Sequence, residues 1–179
     1  MNRRLFLGGF LPSQLWSASP IRLSRPDGMP EYVDVKQYRA TVLLFLSNIC
    51  PISNAYQDRI HALAKHFAGQ PVRLLLINSN DNETAAETLR YANDVKFSVP
   101  FFKDWRNTVA DRFGVTLTPE VVILDSNGAS RYHGAIDDAR NPARVKVEAV
   151  KLAVADLLAN RPVSVKPIRA FGCAIKKVS

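Results

Sequence analysis

Cys50 stands where a sulfur can act as a nucleophile. The run Thr41-Val-Leu-Leu-Phe-Leu-Ser-Asn-Ile-Cys50-Pro51-Ile52-Ser53 reads as an apolar strand, Val42 to Leu46, broken at Ser47-Asn48 and followed by an amphipathic helix. Proline is favoured at the first helical position, so Pro51 sets Cys50 at or beside the N-cap. Unpaired backbone N–H groups and the positive end of the helix dipole there favour thiolate over thiol. Thiolate is the nucleophilic form, which makes Cys50 a candidate redox centre. The alternative is a small buried hydrophobe, as most free cysteines are.

Cys173 is the only other cysteine, and it lies in a basic, proline-containing segment beyond the last predicted helix. Three roles fit it: a structural bridge to Cys50, a resolving thiol on a segment that approaches and leaves, or simple packing between Phe171 and Ile175. Two cysteines are too few for a disulfide scaffold. With three histidines, no zinc-ligand spacing exists, and the sequence implies neither a metal nor another cofactor. His61 and His66 fall on the helix behind Cys50, too far along it to serve as its base. His133 reads as a surface residue.

The elements that must position these groups alternate in period. Ile21-Arg22-Leu23 and Tyr32-Val33 are short strands around the turn Arg25-Pro26-Asp27-Gly28. Val42–Leu46 and Val72–Ile77 are continuous apolar runs, as expected of strands buried on both faces. Between them Tyr56, Ile60, Leu63 and Phe67 form one helical stripe, stopped by Gly69. Thr84-Ala-Ala-Glu87 has capping-box spacing and starts a helix to about Asn93. Phe97–Phe102, interrupted by Pro100, predicts an irregular or edge strand. Asp104 is expected to cap a helix with Trp105, Val109 and Phe113 inward, ended by Gly114. Glu120–Asp125 and Arg131–Gly134 flank Asn127-Gly128, a hairpin signal. A last helix, about Pro142 to Ala159, is expected to bury Val147, Val150, Val154, Leu157 and Leu158. The order predicts an α/β fold, a mixed sheet with helices on both faces.

The 179 residues suit one domain, and 47% hydrophobic with 22% charged residues is an ordinary globular balance. No apolar run approaches the 18 residues of a membrane helix. The net charge of +8 is confined to the ends. Residues 1–26 carry four basic groups and residues 161–179 carry five, with no acid in either; of 24 Lys and Arg this leaves 15 against 16 Asp and Glu in between. No basic stripe with interleaved aromatics crosses the body, which argues against nucleic acid as a partner. The organisation predicted is an N-terminal extension at 1–18, one domain at 19–160 and a basic tail at 161–179. Asn2-Arg3-Arg4-Leu5-Phe6-Leu7 is similar to a twin-arginine export signal, although Pro12 cuts the apolar stretch and no clean cleavage site follows. Export would place the thiols in the bacterial periplasm, and a plain extension would leave the protein cytoplasmic.

Cysteine at the start of the first crossover helix, with Thr118-Pro119 before the hairpin, resembles the thioredoxin fold. That resemblance implies a cis-proline at Pro119, lying against the cysteine helix and presenting backbone to a bound peptide. More narrowly, the chain is similar to the redoxins of the alkyl hydroperoxide reductase/thiol-specific antioxidant group. The blocks that carry this are Phe45-Leu-Ser47-Asn48-Ile-Cys50-Pro51, Tyr56-Gln-Asp58-Arg59-Ile60, Ile77-Asn-Ser-Asn-Asp81, Thr118-Pro-Glu-Val121, Gly134-Ala-Ile-Asp-Asp138 and Gly172-Cys173-Ala-Ile-Lys176. The resemblance runs from about residue 19 to 177.

The chain departs from that pattern where it matters. Ser47 stands where such proteins often carry a first cysteine, and Ser53 stands where a thioredoxin-type pair would put the second. A disulfide must therefore use Cys173, a small thiol or another protein. Peroxiredoxins, a neighbouring branch, carry Thr three residues before their reactive cysteine, and Ser47 could hydrogen-bond a peroxide oxygen in that way. They also use an arginine after the active-site loops, where this chain has Thr118-Pro119. Arg59 is the nearest substitute, but it reads more simply as a solvated partner of Asp58 or nearby Glu.

The resemblance implies a thiol-based oxidoreductase acting on a disulfide, with an external thiol reductant. Cys50 attacks, Cys173 resolves, Pro51, Thr118 and Pro119 shape the groove, and Ser47 and Ser53 donate hydrogen bonds to the sulfur. The alternatives are a peroxidase taking hydroperoxides and a non-catalytic binding module.

Overall fold

The computed structural model describes residues 20–25 and 27–178. The export-like segment around Arg3-Arg4, and Pro26 of the first turn, lie outside the described residues. The chain runs β1 (Ile21–Ser24), β2 (Pro30–Val33), β3 (Ala40–Leu46), α1 (Pro51–Asn54), α2 (Gln57–Phe67), β4 (Val72–Asn78), α3 (Ala85–Val95) and β5 (Phe101–Lys103). It continues with α4 (Thr108–Phe113), β6 (Leu117–Thr118), β7 (Glu120–Asp125), β8 (Ser130–Gly134), α5 (Ala149–Leu158) and β9 (Cys173–Ala174). Seven strands form a mixed sheet in the order β2-β1-β5-β4-β3-β7-β8, and β6 pairs with β9 in a separate two-stranded ladder. Strands β3, β4 and β5 are parallel neighbours, and the remaining pairs are antiparallel.

Period-two alternation along β3 divides the core. Val42, Leu44 and Leu46 point to the face covered by Ile60, Leu63 and Phe67 of α2 and Val150, Ala153 and Val154 of α5. Leu43 and Phe45 point to the other face, with Val109 and Ala110 of α4, the N-terminal Ile21 and Leu23, and Ile175 from the C-terminal segment. Both faces of β3 are closed, which is why its seven residues read as an unbroken apolar run.

Four sequence expectations are corrected. The helix after Cys50 is two helices, because the backbone leaves helical angles at Tyr56 (φ −101°, ψ 1°). Phe97–Phe102 is irregular over residues 97–100, as one of the two readings had it, but the strand that follows is not at an edge. Pairing begins after Pro100, and β1 adds antiparallel to β5 at Ser24–Lys103, so β5 is interior. Trp105 is 65% exposed. The Asp104 carboxylate accepts from the N–H groups of Val109 and Ala110, each at 2.9 Å, so α4 begins after Trp105, which falls on a preceding 3₁₀ turn. The last helix starts at Ala149, not near Pro142. Asn141 caps a short 3₁₀ turn there, and Asp138 takes the Lys146 and Val147 N–H groups at 2.9 and 3.0 Å, holding that stretch out of helix. Val147, Leu157 and Leu158 still pack against the core, partly buried.

Residues 161–178 run back across the body. Val163, Val165 and Ile168 pack against the first core and Ile175 enters the second. No helix among the described residues is long and apolar enough to cross a membrane. The turn from α5 into this segment is fastened by Asp156, which accepts from the Ser164 hydroxyl (2.7 Å) and N–H (2.9 Å) and from Arg161 (2.9 Å). These bonds hold the Asp156 carboxyl down to about 2, below its ordinary 3.8. A depressed acid stabilises the fold above its unfolded pKa and loses that contribution as pH falls through the folded value. The melting temperature of Asp156→Asn should therefore lie below wild type above pH 3.8, with the gap closing as pH approaches 2. A gap that stays constant across that window would contradict this role.

Candidate active site

Cys50 is the residue before α1, at the C-terminal edge of the sheet, and Cys173 opens β9. The two are joined by a disulfide, with Cα atoms 6.0 Å apart across 123 residues of sequence. That separation is within the ordinary disulfide range. Cys50 is 2% exposed, whereas Cys173 is only partly buried.

The N-cap placement of Cys50 is observed: its sulfur accepts from the Ser53 N–H at 3.4 Å. Because α1 is a single turn, few peptide dipoles are aligned behind it, and this one N–H is the specific contact. Opposite it, the Thr118 carbonyl oxygen lies 3.3 Å from the same sulfur. An N–H favours negative charge on sulfur; a carbonyl oxygen accepts a thiol proton and opposes that charge. The expected thiolate preference therefore meets opposition from Thr118 and from burial.

The two serines do not donate to sulfur through their hydroxyls. Ser47 donates its hydroxyl to Glu83 at 2.6 Å and accepts from the Cys50 N–H at 3.1 Å. The Ser53 hydroxyl accepts from the Ser47 N–H at 3.3 Å. Both fix the shape of the loop that carries Cys50. Pro51 occupies the first helical position and is exposed. The Thr118–Pro119 bond is cis, and both residues are buried.

Glu83 is the residue the sequence did not disclose. It is 3% exposed and takes three donors: the Ser47 hydroxyl, the Asn48 N–H (2.6 Å) and the Asn78 amide (2.8 Å). It follows the polar run Asn78-Ser-Asn-Asp-Asn82 and belongs to no periodic pattern. Asn78 relays this network to Lys103, whose ammonium donates to Asn78 at 3.1 Å and to the Asn80 carbonyl. Burial pushes the Lys103 ammonium below its usual range and raises the Asp104 carboxyl above its own.

Arg59 is not a solvated partner of Asp58, nor is its guanidinium available to a peroxide. It makes two 2.7 Å contacts with Asp137 and donates to Ala139 O at 2.8 Å, lying over the Tyr56 ring. It ties α2 to the Gly134-Ala-Ile-Asp-Asp138 block. His133 contacts the buried Glu120 at 2.9 Å, and Glu120 in turn accepts the Thr116 and Leu117 N–H groups, each at 2.9 Å. His61 rests against Val95 O and Phe97.

The C-terminal segment occupies the backbone beside Pro119. Thr118 pairs antiparallel with Cys173 and Leu117 with Ala174, and the Ile175 N–H donates to Thr116 O at 2.9 Å. Beyond β9 the chain is latched to the loop after β4: Lys176 N–H to the Asn80 side chain and Asp81 N–H to Lys176 O, both 2.9 Å. Asn107 accepts from the Val178 N–H at 2.8 Å. Ile49, 67% exposed, and Phe171, 51% exposed, flank the two cysteines in sequence, with the Arg140 guanidinium 4.0 Å above the Phe171 ring.

A mixed sheet with a cysteine opening the first crossover and a cis-proline before the hairpin defines a thioredoxin-like fold. The thioredoxin-like family model matches residues 38–129. An uncharacterized conserved protein from Geobacillus kaustophilus is 30% identical, with TM-score 0.81 over 90% of each chain. A hypothetical protein from Sinorhizobium meliloti 1021 is 27% identical, with TM-score 0.81 over 91% of this chain and 93% of that one. A secreted disulfide oxidoreductase from Mycobacterium tuberculosis is 16% identical, with TM-score 0.56 over 78% of this chain and 95% of that one, a likeness of fold. No functionally curated protein matches the chain. The chain belongs to the thioredoxin-like family.

Gly172 makes the approach of β9 to β6 possible. A Cβ there would lie 2.0 Å from Thr118 O and 3.1 Å from Pro119 N, both backbone atoms that cannot turn aside. Gly172→Ala should push β9 off β6, lower the melting temperature by several degrees and raise the free-thiol count of oxidised protein from near zero towards two. Complete disulfide formation with wild-type melting would overturn this reading.

Proposed function

We propose that the protein is a thiol–disulfide oxidoreductase whose redox couple is Cys50 and Cys173. The observation that carries this reading is the bond itself, formed between a buried N-cap cysteine and a cysteine held beside a cis-proline. A bridge used only for strength needs neither the Ser53 N–H on one sulfur nor a second cysteine that is only partly buried. The partners are a protein or small-molecule disulfide and a thiol that exchanges electrons with it. Ile49 and Phe171 offer an apolar rim to a polypeptide. A persistent bridge suits an oxidising compartment, which fits residues 1–18 acting as an export segment.

The peroxidase alternative gains no support from the geometry. The Ser47 hydroxyl is committed to Glu83, and the Arg59 guanidinium to Asp137.

The test is equilibration of the full chain across glutathione redox ratios, with thiol counting and peptide mapping. Both thiols should disappear together into one intramolecular bridge, and Cys50→Ser should reduce disulfide turnover to background. Thiols that oxidise independently, or a Cys50→Ser variant that turns over like wild type, would sink the proposal.

A further inference from the structure

We propose that Cys173, not Cys50, is the sulfur through which this protein exchanges with its partner, while Cys50 is the internal sulfur released and recaptured. This rests on the redox reading above and reverses the expectation that Cys50 makes the external attack.

Access is the first ground. A thiolate must reach the sulfur it attacks, and Cys50 is 2% exposed beneath a strand made by the chain itself. The backbone of Thr118, against which a partner peptide would otherwise align, is already paired with Cys173. Cys173 is the more open of the two.

The leaving group is the second. Attack at Cys173 expels Cys50, whose developing charge has the Ser53 N–H as a donor to set against the Thr118 carbonyl on its other side. Attack at Cys50 would expel Cys173, and among the described residues no hydrogen-bond donor faces that sulfur. Exchange is faster when the departing thiolate is the better stabilised one.

In the reductive direction an external thiolate attacks Cys173 Sγ, the Cys173–Cys50 bond breaks, and its electron pair leaves with Cys50. A proton then converts Cys50 to the thiol, which can donate to Thr118 O. A second external thiolate attacks the partner's sulfur in the mixed disulfide, forming the partner's disulfide and freeing Cys173. Two external thiols are oxidised and one protein disulfide is reduced. Run backwards, the same steps reduce a partner's disulfide and restore the bridge.

The latches beyond β9 serve this cycle. The bonds of Ile175, Lys176 and Val178 to Thr116, Asn80, Asp81 and Asn107 do not involve sulfur. They hold Cys173 near Cys50 while the bridge is open, so recapture does not require closing a loop of more than a hundred residues afresh.

The experiment uses oxidised wild-type protein and excess glutathione, quenched with acid during the reaction, alkylated and mapped by mass spectrometry. Glutathione should sit on Cys173, at least tenfold over Cys50, with Cys50 carrying the alkyl label. Glutathione found mainly on Cys50 overturns the proposal and leaves the redox reading standing. Two alkylatable thiols in the oxidised protein before glutathione is added would remove the redox reading and this proposal with it.

Discussion

The two-residue ladder between Thr118 and Cys173 turns two distant cysteines into one site. Two pairs of backbone residues are a weak structure by themselves, and a short hairpin-like ladder is marginal in water. It is sustained by what lies on either side. Ile175 enters the core next to Leu43, Phe45 and Ile77, and burial of such a side chain contributes about 1.5–3 kcal/mol. Lys176 and Val178 spend their N–H groups on Asn80 and Asn107. Gly172 lets the backbone come close enough for pairing. The sulfur–sulfur bond completes a contact already aligned by packing and hydrogen bonds.

Beneath it lies a second constraint, the polar network that shapes the Cys50 loop. Glu83 gathers the Ser47 hydroxyl and two amide donors in a place closed to water. A buried carboxylate is tolerated when its lone pairs are met, and removing one partner exposes the full cost of an unpaired group. Asn78 joins this network to Lys103, and Asn80 joins the same loop to the C-terminal segment. The loop after β4 therefore touches both cysteine-bearing segments through hydrogen bonds, which gives it a positioning role in the site.

Elements marked by an apolar run, a period or a local capping or turn signal were legible in the sequence. The continuous apolar runs of β3 and β4, the Thr84 capping box and the Asn-Gly hairpin all correspond to observed elements. Strand β9 could not be read that way, since two residues carry no period and their partner lies 55 residues earlier. The start of α5 was misplaced because Asp138, outside the helix, claims the N–H groups that would have begun it. Trp105 looked like core by spacing, yet Asp104 starts the helix beyond it. In the site, Pro51 beside Cys50 was enough to locate the N-cap sulfur. The roles of Ser47 and Arg59 were not legible, because each is decided by an acid far along the chain, Glu83 and Asp137.

Amide hydrogen exchange of the oxidised protein, resolved at Cys173 through Val178, tests most directly whether the C-terminal segment is built into the site. The Ile175 and Lys176 amides should be protected well beyond unfolded-chain rates, and reduction should weaken that protection without abolishing it. Exchange at unfolded-chain rates in the oxidised protein would contradict the account, because the segment would then be tethered by sulfur alone.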